Sequence, residues 1–162
     1  ERILTLAYRL RYAFNSVRGR GIFEFETKAA EEKLDANVSD WRSKEQGEQG
    51  RMTTAQVILN RLNSRREDWQ EIWTLKPVAL ALFGSEVETS LHAFWTHYVA
   101  VEVSASGYAE DDGTDKDFSK SIRRDLFGGK DDEVGPGVET AIASLEAQLL
   151  PILRMESEKL PR

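Results

Sequence analysis

The sequence predicts an all-α fold: an antiparallel four-helix-bundle-like domain with one additional short helix and a long irregular excursion. Three observations carry that prediction. Apolar residues recur at helical spacing over residues 2–17, a seam of alternating four- and three-residue steps runs from Val87 to Tyr108, and a second such seam runs from Val138 to Ile152. The chain has 162 residues, 40% of them hydrophobic and 31% charged, enough to bury a core and far from a fibrous or disordered composition. Residues 1–162 read as one helical domain.

Taken in order, Ile3, Leu6, Ala7, Leu10, Ala13, Phe14 and Val17 fall within one stripe of about 120°, the width of a core-facing helix surface. Gly19 and Gly21 end that helix. Residues 18–52 carry the weakest pattern: Ile22-Phe23-Glu24-Phe25 alternates like a short strand, Ala30, Leu34, Val38 and Trp41 fit one weak helix face, and Ser43 to Gly50 is polar. The region reads as an irregular or partly mobile excursion with room for one helix.

Thr53-x-x-Gln56 matches a capping box, which places the next helix at 53–83, with a kink or break near Leu75-Lys76 imposed by Pro77 and a stop at Gly84. Ser85-x-x-Glu88 is a second capping box, and the one-residue joint at Gly84 predicts an elbow into helix 86–109. An acidic turn follows, then a short helix at 116–127 closed by Gly128-Gly129 and a last helix at 137–155. In that last helix Pro136 suits the first helical position and Pro151 bends it late. The seam positions Leu91, Phe94, Val101, Leu145 and Leu149 are expected in the core.

The net charge of −6 hides an asymmetry. Arg2, Arg9, Arg11, Arg18 and Arg20 stand against Glu1 alone in the first 20 residues, a local +4 that leaves −10 for the rest. An acidic body argues against broad nucleic-acid binding, which needs a basic face, so no nucleic-acid partner is expected. A short basic end fits anionic lipid or the chain's own acidic surface. The five arginines are therefore candidate membrane-proximal or interaction residues, placed where the cytoplasmic flanks of a membrane helix carry theirs. The first residue is Glu rather than Met, which reads as a fragment or processed product. No window reads as a membrane span, because the most apolar one, 89–109, contains Glu102 and both histidines.

The chain holds no cysteine and only two histidines, His92 and His97, which excludes disulfides, thiol nucleophiles and cysteine-ligated zinc. Neither histidine has the Glu-x-x-His spacing of carboxylate-bridged metal bundles. In the acidic loop 111–117 Gly113 comes too early for a calcium loop, and the twelfth position is Ile122. There is no phosphate loop, nucleophile elbow or triad signature. No catalytic residue, cofactor or metal ligand is assigned. Arg65 and Arg66 ahead of Trp69 and Trp73 form a candidate polar and aromatic cluster, suited to a phosphate or acidic peptide, or to arginine stems that cover the core edge.

The run Leu59-Asn60-Arg61-Leu62-Asn63, continuing through Leu75 to Leu82-Phe83-Gly84 after a basic helix and a polar excursion, resembles small uncharacterised bacterial proteins. Those have one N-terminal membrane helix and a helical cytoplasmic domain. The resemblance covers residues 1–110 and brings no catalytic residues. It implies the soluble cytoplasmic part of a membrane-anchored protein. The absence of any converging polar set favours an interaction or regulatory module with a protein partner, and the arginines of the N-terminal helix add an anionic membrane surface as a partner. The competing expectation is a small-ligand sensor or enzyme with an internal cavity near Trp69, Trp73 and Trp95.

Overall fold

The computed structural model describes residues 1–157. Among the described residues there are seven α-helices and no strand: α1 (Arg2–Val17), α2 (Glu24–Asn37), α3 (Gln46–Asn63), α4 (Arg66–Phe83), α5 (Ser85–Glu110), α6 (Lys116–Phe127) and α7 (Val134–Ser157). A single 3-10 turn lies at Trp41–Ser43. The all-α class is as the sequence predicts, while the count of four main helices plus one short one is not.

The long seam sits on the central helix. α5 packs against α3, α4, α6 and α7, α1 lies against α3, α4 and α7, and α2 rests on α3. Leu91, Phe94, Val101 and Leu145 are completely buried and Leu149 nearly so, as is the whole α1 stripe from Ile3 to Val17. These join Trp69, Ile72, Ile122 and Leu126 in one contiguous core. Each fully buried aliphatic or aromatic side chain contributes about 1.5–3 kcal/mol relative to exposure, so the two seams and the α1 stripe are what gather the helices.

The stretch 18–52 is not irregular. Phe23 is extended (φ −90°, ψ 155°) and α2 begins at Glu24. The Glu26 carboxylate accepts the Phe23 N–H at 3.0 Å, satisfying a donor that the helix start would leave open. The strand-like alternation at Ile22–Phe25 is thus a helix entry. Ala30 and Leu34, two positions of the weak helix face, are the buried face of α2, whereas Val38 and Trp41 lie beyond its end.

Four boundaries also move. Thr53 caps nothing, because α3 has already begun at Gln46 despite Gly47 and Gly50, each of which costs about 1 kcal/mol in a helix interior. The expected helix 53–83 is two helices, broken at Ser64-Arg65 rather than near Leu75-Lys76. Pro77 lies inside α4 on an exposed face, and the carbonyl its ring deprives of a donor, that of Trp73, is on the same exposed side, where water can serve it. Ser85 is already helical, since Gly84 holds the joint with φ 87°, a conformation that favours glycine. Glu88 then pairs with Lys76 at 2.9 Å across the elbow instead of closing a capping box. Finally, α7 starts at Val134, where the Asp132 carboxylate accepts the Val134 and Gly135 amides at 3.1 and 3.3 Å, so Pro136 is its third residue.

No helix among the described residues is long and apolar enough to cross a membrane.

Candidate functional site

The arginines of α1 are turned onto the acidic body. Arg2 Nε and Arg9 Nη2 each reach Glu71 at 2.6 Å, and Arg9 lies 3.3 Å from Asp68. The hydrogen bond from Arg2, with that from Arg9, holds the Glu71 carboxyl below its ordinary value against the opposing effect of burial. Arg11 approaches Glu139 at 3.6 Å. Arg18 is only 11% exposed and does not face outward. Its guanidinium donates to the Asp125 and Arg124 carbonyls at 2.7 and 3.1 Å and to Asp132 at 2.6 Å, closing the C-terminal end of α6 with a cation, the favoured charge there. Burial pushes the Asp132 carboxyl up, but the Arg18 hydrogen bond and charge, with the two amides of α7, outweigh it and hold the carboxyl down.

The candidate cluster of Arg65, Arg66, Trp69 and Trp73 does not assemble. Trp69 is 2% exposed, its ring edge-on to Phe14 at 4.9 Å and its indole N–H donating to the Leu62 carbonyl at 3.2 Å. Both arginines are exposed. Trp73 is half exposed, with Lys76 Nζ over its ring at 4.9 Å and Trp95 at 5.1 Å. Rings fill the space between the tryptophans, because Trp95 stacks on Tyr98 at 4.9 Å and Tyr98 meets Trp69 at 5.0 Å.

A different site emerges along α6. An open cleft of about 900 Å³ runs beside this helix from Gly113 to the loop that follows its end. Lys116, Lys120, Arg123 and Arg124 line it from α6, and Lys130 from the α6–α7 loop. Arg61 lines it from α3, and Arg20 lines it too, its guanidinium donating to the Phe127 carbonyl at the end of α6 at 3.4 Å. Asp131 is the one carboxylate among the described lining residues. Apolar wall is supplied by Ile22, Ile58 and the pair Tyr108–Phe127, whose rings meet edge to face at 5.6 Å. A volume near 900 Å³ is at the upper end of the range of about 300–1,000 Å³ for small-molecule sites.

The cations differ in freedom. Arg61 is committed to structure: it grips Glu26 through Nε and Nη2, both at 2.7 Å, and donates to the Gly19 and Gly21 carbonyls at 2.8 and 2.6 Å. Arg124 is held by Asp125 at 3.1 Å and Glu133 at 3.5 Å. Among the described residues Lys120 pairs with Asp131 alone, at 3.1 Å, with both side chains more than half exposed, an arrangement that contributes little. Lys116, Arg123 and Lys130 form no ion pair among the described residues. Three or four cations are therefore available to a ligand.

The signal for this site was present in the sequence. Residues 116–130 hold five basic side chains and two acidic ones, and Lys116, Lys120, Arg123 and Arg124 fall within about 100° on the helix, clear of the buried Ile122 and Leu126. A second basic stripe thus lies inside the acidic body, apart from the +4 of the first 20 residues.

The histidines stand apart. His92 lies on the surface with Nδ1 3.1 Å from Lys76 Nζ. His97 is partly buried against Phe14 and the backbone of Gly137; burial, then the charge of Arg18, push its pKa down. Among the described residues no group of three or more histidine, aspartate or glutamate side chains stands close enough to hold a metal. No protein-family model, curated protein or solved structure matches the chain, so the cleft itself carries the functional reading.

Proposed function

We propose that this domain is an interaction module that recognises an acidic segment of a partner protein through the basic cleft along α6. One observation carries this reading: seven cations and a single carboxylate line one concavity of a chain whose net charge is −6. Complementary potentials of this kind steer association and select partners more than they add raw affinity. The adjoining apolar surface supports the same reading. Ile22 is 38% exposed on the cleft wall, and the next turn carries Phe23 and Phe25, stacked at 5.7 Å and exposed by 64% and 71%. Exposed aromatic rings beside arginines are the composition of interface hot spots.

The test is binding of a fluorescein-labelled octaglutamate peptide at low salt. The triple charge reversal Lys116→Glu, Lys120→Glu, Arg123→Glu is expected to weaken binding at least tenfold. The control reversal Arg9→Glu, Arg11→Glu on α1 leaves it within twofold. Equal loss in both variants overturns the assignment to the cleft, because it reduces the effect to net charge.

A second reading concerns the other end of α1. A groove of about 390 Å³ there is lined by Ile3, Leu75, Val78, Phe83 and Ile152 beside Arg2, and Leu80, Leu82 and Met155 are exposed. This apolar end supports the resemblance to membrane-anchored bacterial proteins, with the domain on the cytoplasmic side and its N-terminal arginines near anionic headgroups. Sedimentation with anionic but not neutral vesicles, abolished by Leu80→Ser, Leu82→Ser, is the expected result; no sedimentation at low salt overturns it.

A further inference from the structure

We infer that the segment taken by the cleft is short, extended and acidic at alternate positions, in register with the cations of α6; this rests on the acidic-partner reading above. The first step is length. α6 has 12 residues, about 18 Å at 1.5 Å per residue, and the cleft follows it from Lys116 to Lys130. An extended chain rises about 3.3 Å per residue, so five or six residues span the groove.

The second step is register. Lys116, Lys120 and Arg124 are four residues apart and so about 6 Å apart along the helix axis. In an extended peptide, side chains at i, i+2 and i+4 point to one side, about 6.7 Å apart. Three alternate carboxylates thus stand over Lys116, Lys120 and Arg123, which shares the third turn with the Arg124 held by Asp125 and Glu133, and the flexible side-chain stems take up the mismatch. Asp131 already shows the geometry of one such contact at 3.1 Å from Lys120, and a ligand carboxylate takes its place. A run of contiguous acids matches less well, because every second carboxylate points away from the groove.

The third step is what brackets the cations. The exposed carboxylates Glu110, Asp112, Asp115 and Asp117 lie at one end, and Glu133 at the other. A long polyanion that ran past either end would meet these carboxylates, whereas a short acidic stretch with neutral flanks meets the cations and the single carboxylate of Asp131, which it displaces from Lys120. The only aromatic rings that line the cleft among the described residues, Tyr108 and Phe127, pack on each other and do not form the row of stacking platforms that a nucleic-acid strand uses. The groove therefore fits a protein segment better than a phosphate chain.

Two labelled eight-residue peptides of the same composition test this, one alternating glutamate and threonine, the other four glutamates followed by four threonines, each titrated against the whole chain by anisotropy at low salt. The alternating peptide is expected to bind at least fivefold tighter. Lys120→Glu is expected to remove that preference as well as weaken both. Equal affinity of the two peptides overturns the register while the acidic-partner reading stands. Binding by neither overturns both. Tighter binding of an inorganic polyphosphate of equal charge overturns the choice of a protein segment.

Discussion

Arg61 of α3 and Glu26 of α2 meet fork to fork, with Nε–Oε1 and Nη2–Oε2 both 2.7 Å, over the carbonyl end of α1. Both side chains are largely withdrawn from solvent, that of Arg61 12% and that of Glu26 17% exposed. Three helices are joined by one ion pair: Glu26 caps the start of α2, and Arg61 satisfies the Gly19 and Gly21 carbonyls beyond the last turn of α1.

Removal of either partner leaves a largely buried charge without its mate, which costs about 3–5 kcal/mol. Arg61→Ala and Glu26→Gln are each expected to lower stability in urea by about 3 kcal/mol. The double variant should lose far less than the sum. Additive losses in the double-mutant cycle would show that the pair does not act as a unit.

That pair also marks where the sequence stopped being legible. The apolar stripes of α1, α5 and α7 could be read because every third or fourth residue enters the core, and those seam positions are buried. α2 was only faintly legible, as the weak face of Ala30 and Leu34, because it buries those two residues alone and is held instead by Glu26 to a residue 35 positions away. A long-range polar tie has no period. The cleft was missed for a related reason: its cations come from α6 and the following loop together with Arg20 and Arg61, and only α6 contributes a local pattern. The basic stripe of α1 could be seen, yet its arginines have partners on α4, α6 and α7 and beside α7.

Stability should fall with acid in two stages. His97 has its pKa lowered by burial and by Arg18, so the fold favours the neutral ring, and stability present above about pH 6.5 declines as pH falls towards the folded value. Glu26 and Glu71 are lowered by their arginine hydrogen bonds. Their contribution is present above the ordinary value of 4.5 and is lost as pH falls through the lower folded values. Urea midpoints measured from pH 3 to 8 should show both limbs. His97→Gln should flatten the upper limb alone, and Glu71→Gln the lower.

Gly137 lies so close to His97 that a Cβ there would overlap the imidazole ring. Gly137→Ala is expected to cost about 1–3 kcal/mol, the usual penalty of overpacking, although alanine is the better helix former. His97→Ser should restore most of the loss. A Gly137→Ala variant as stable as the parent would mean that α5 and α7 do not approach this closely at that point.

Asp131 competes with any anionic ligand for Lys120. Asp131→Asn is expected to leave stability within about 0.5 kcal/mol, as for other exposed surface substitutions, and to tighten acidic-peptide binding about two- to threefold. Weakened binding would place Asp131 among the groups that orient the ligand instead of those that oppose it.

The break between α3 and α4 makes the last prediction. Trp69 is the largest fully buried side chain, edge-on to Phe14 of α1 and in contact with Tyr98 of α5, while its indole N–H donates to the Leu62 carbonyl near the end of α3. That carbonyl is one of the last four of its helix, and it also accepts the Arg65 N–H at 3.1 Å, so the turn and the indole share one acceptor. The indole thus fixes the turn at Ser64-Arg65 and fills the core beneath it. Trp69→Phe keeps an apolar ring but loses the hydrogen bond, about 1 kcal/mol, together with part of the ring volume. Trp69→Ala should cost about 3–5 kcal/mol. Trp73 is 46% exposed, so Trp73→Phe should be close to neutral in stability and should remove a red-shifted fluorescence component, whereas Trp69→Phe removes a blue-shifted one. Equal costs at the two positions would be incompatible with a turn held by Trp69.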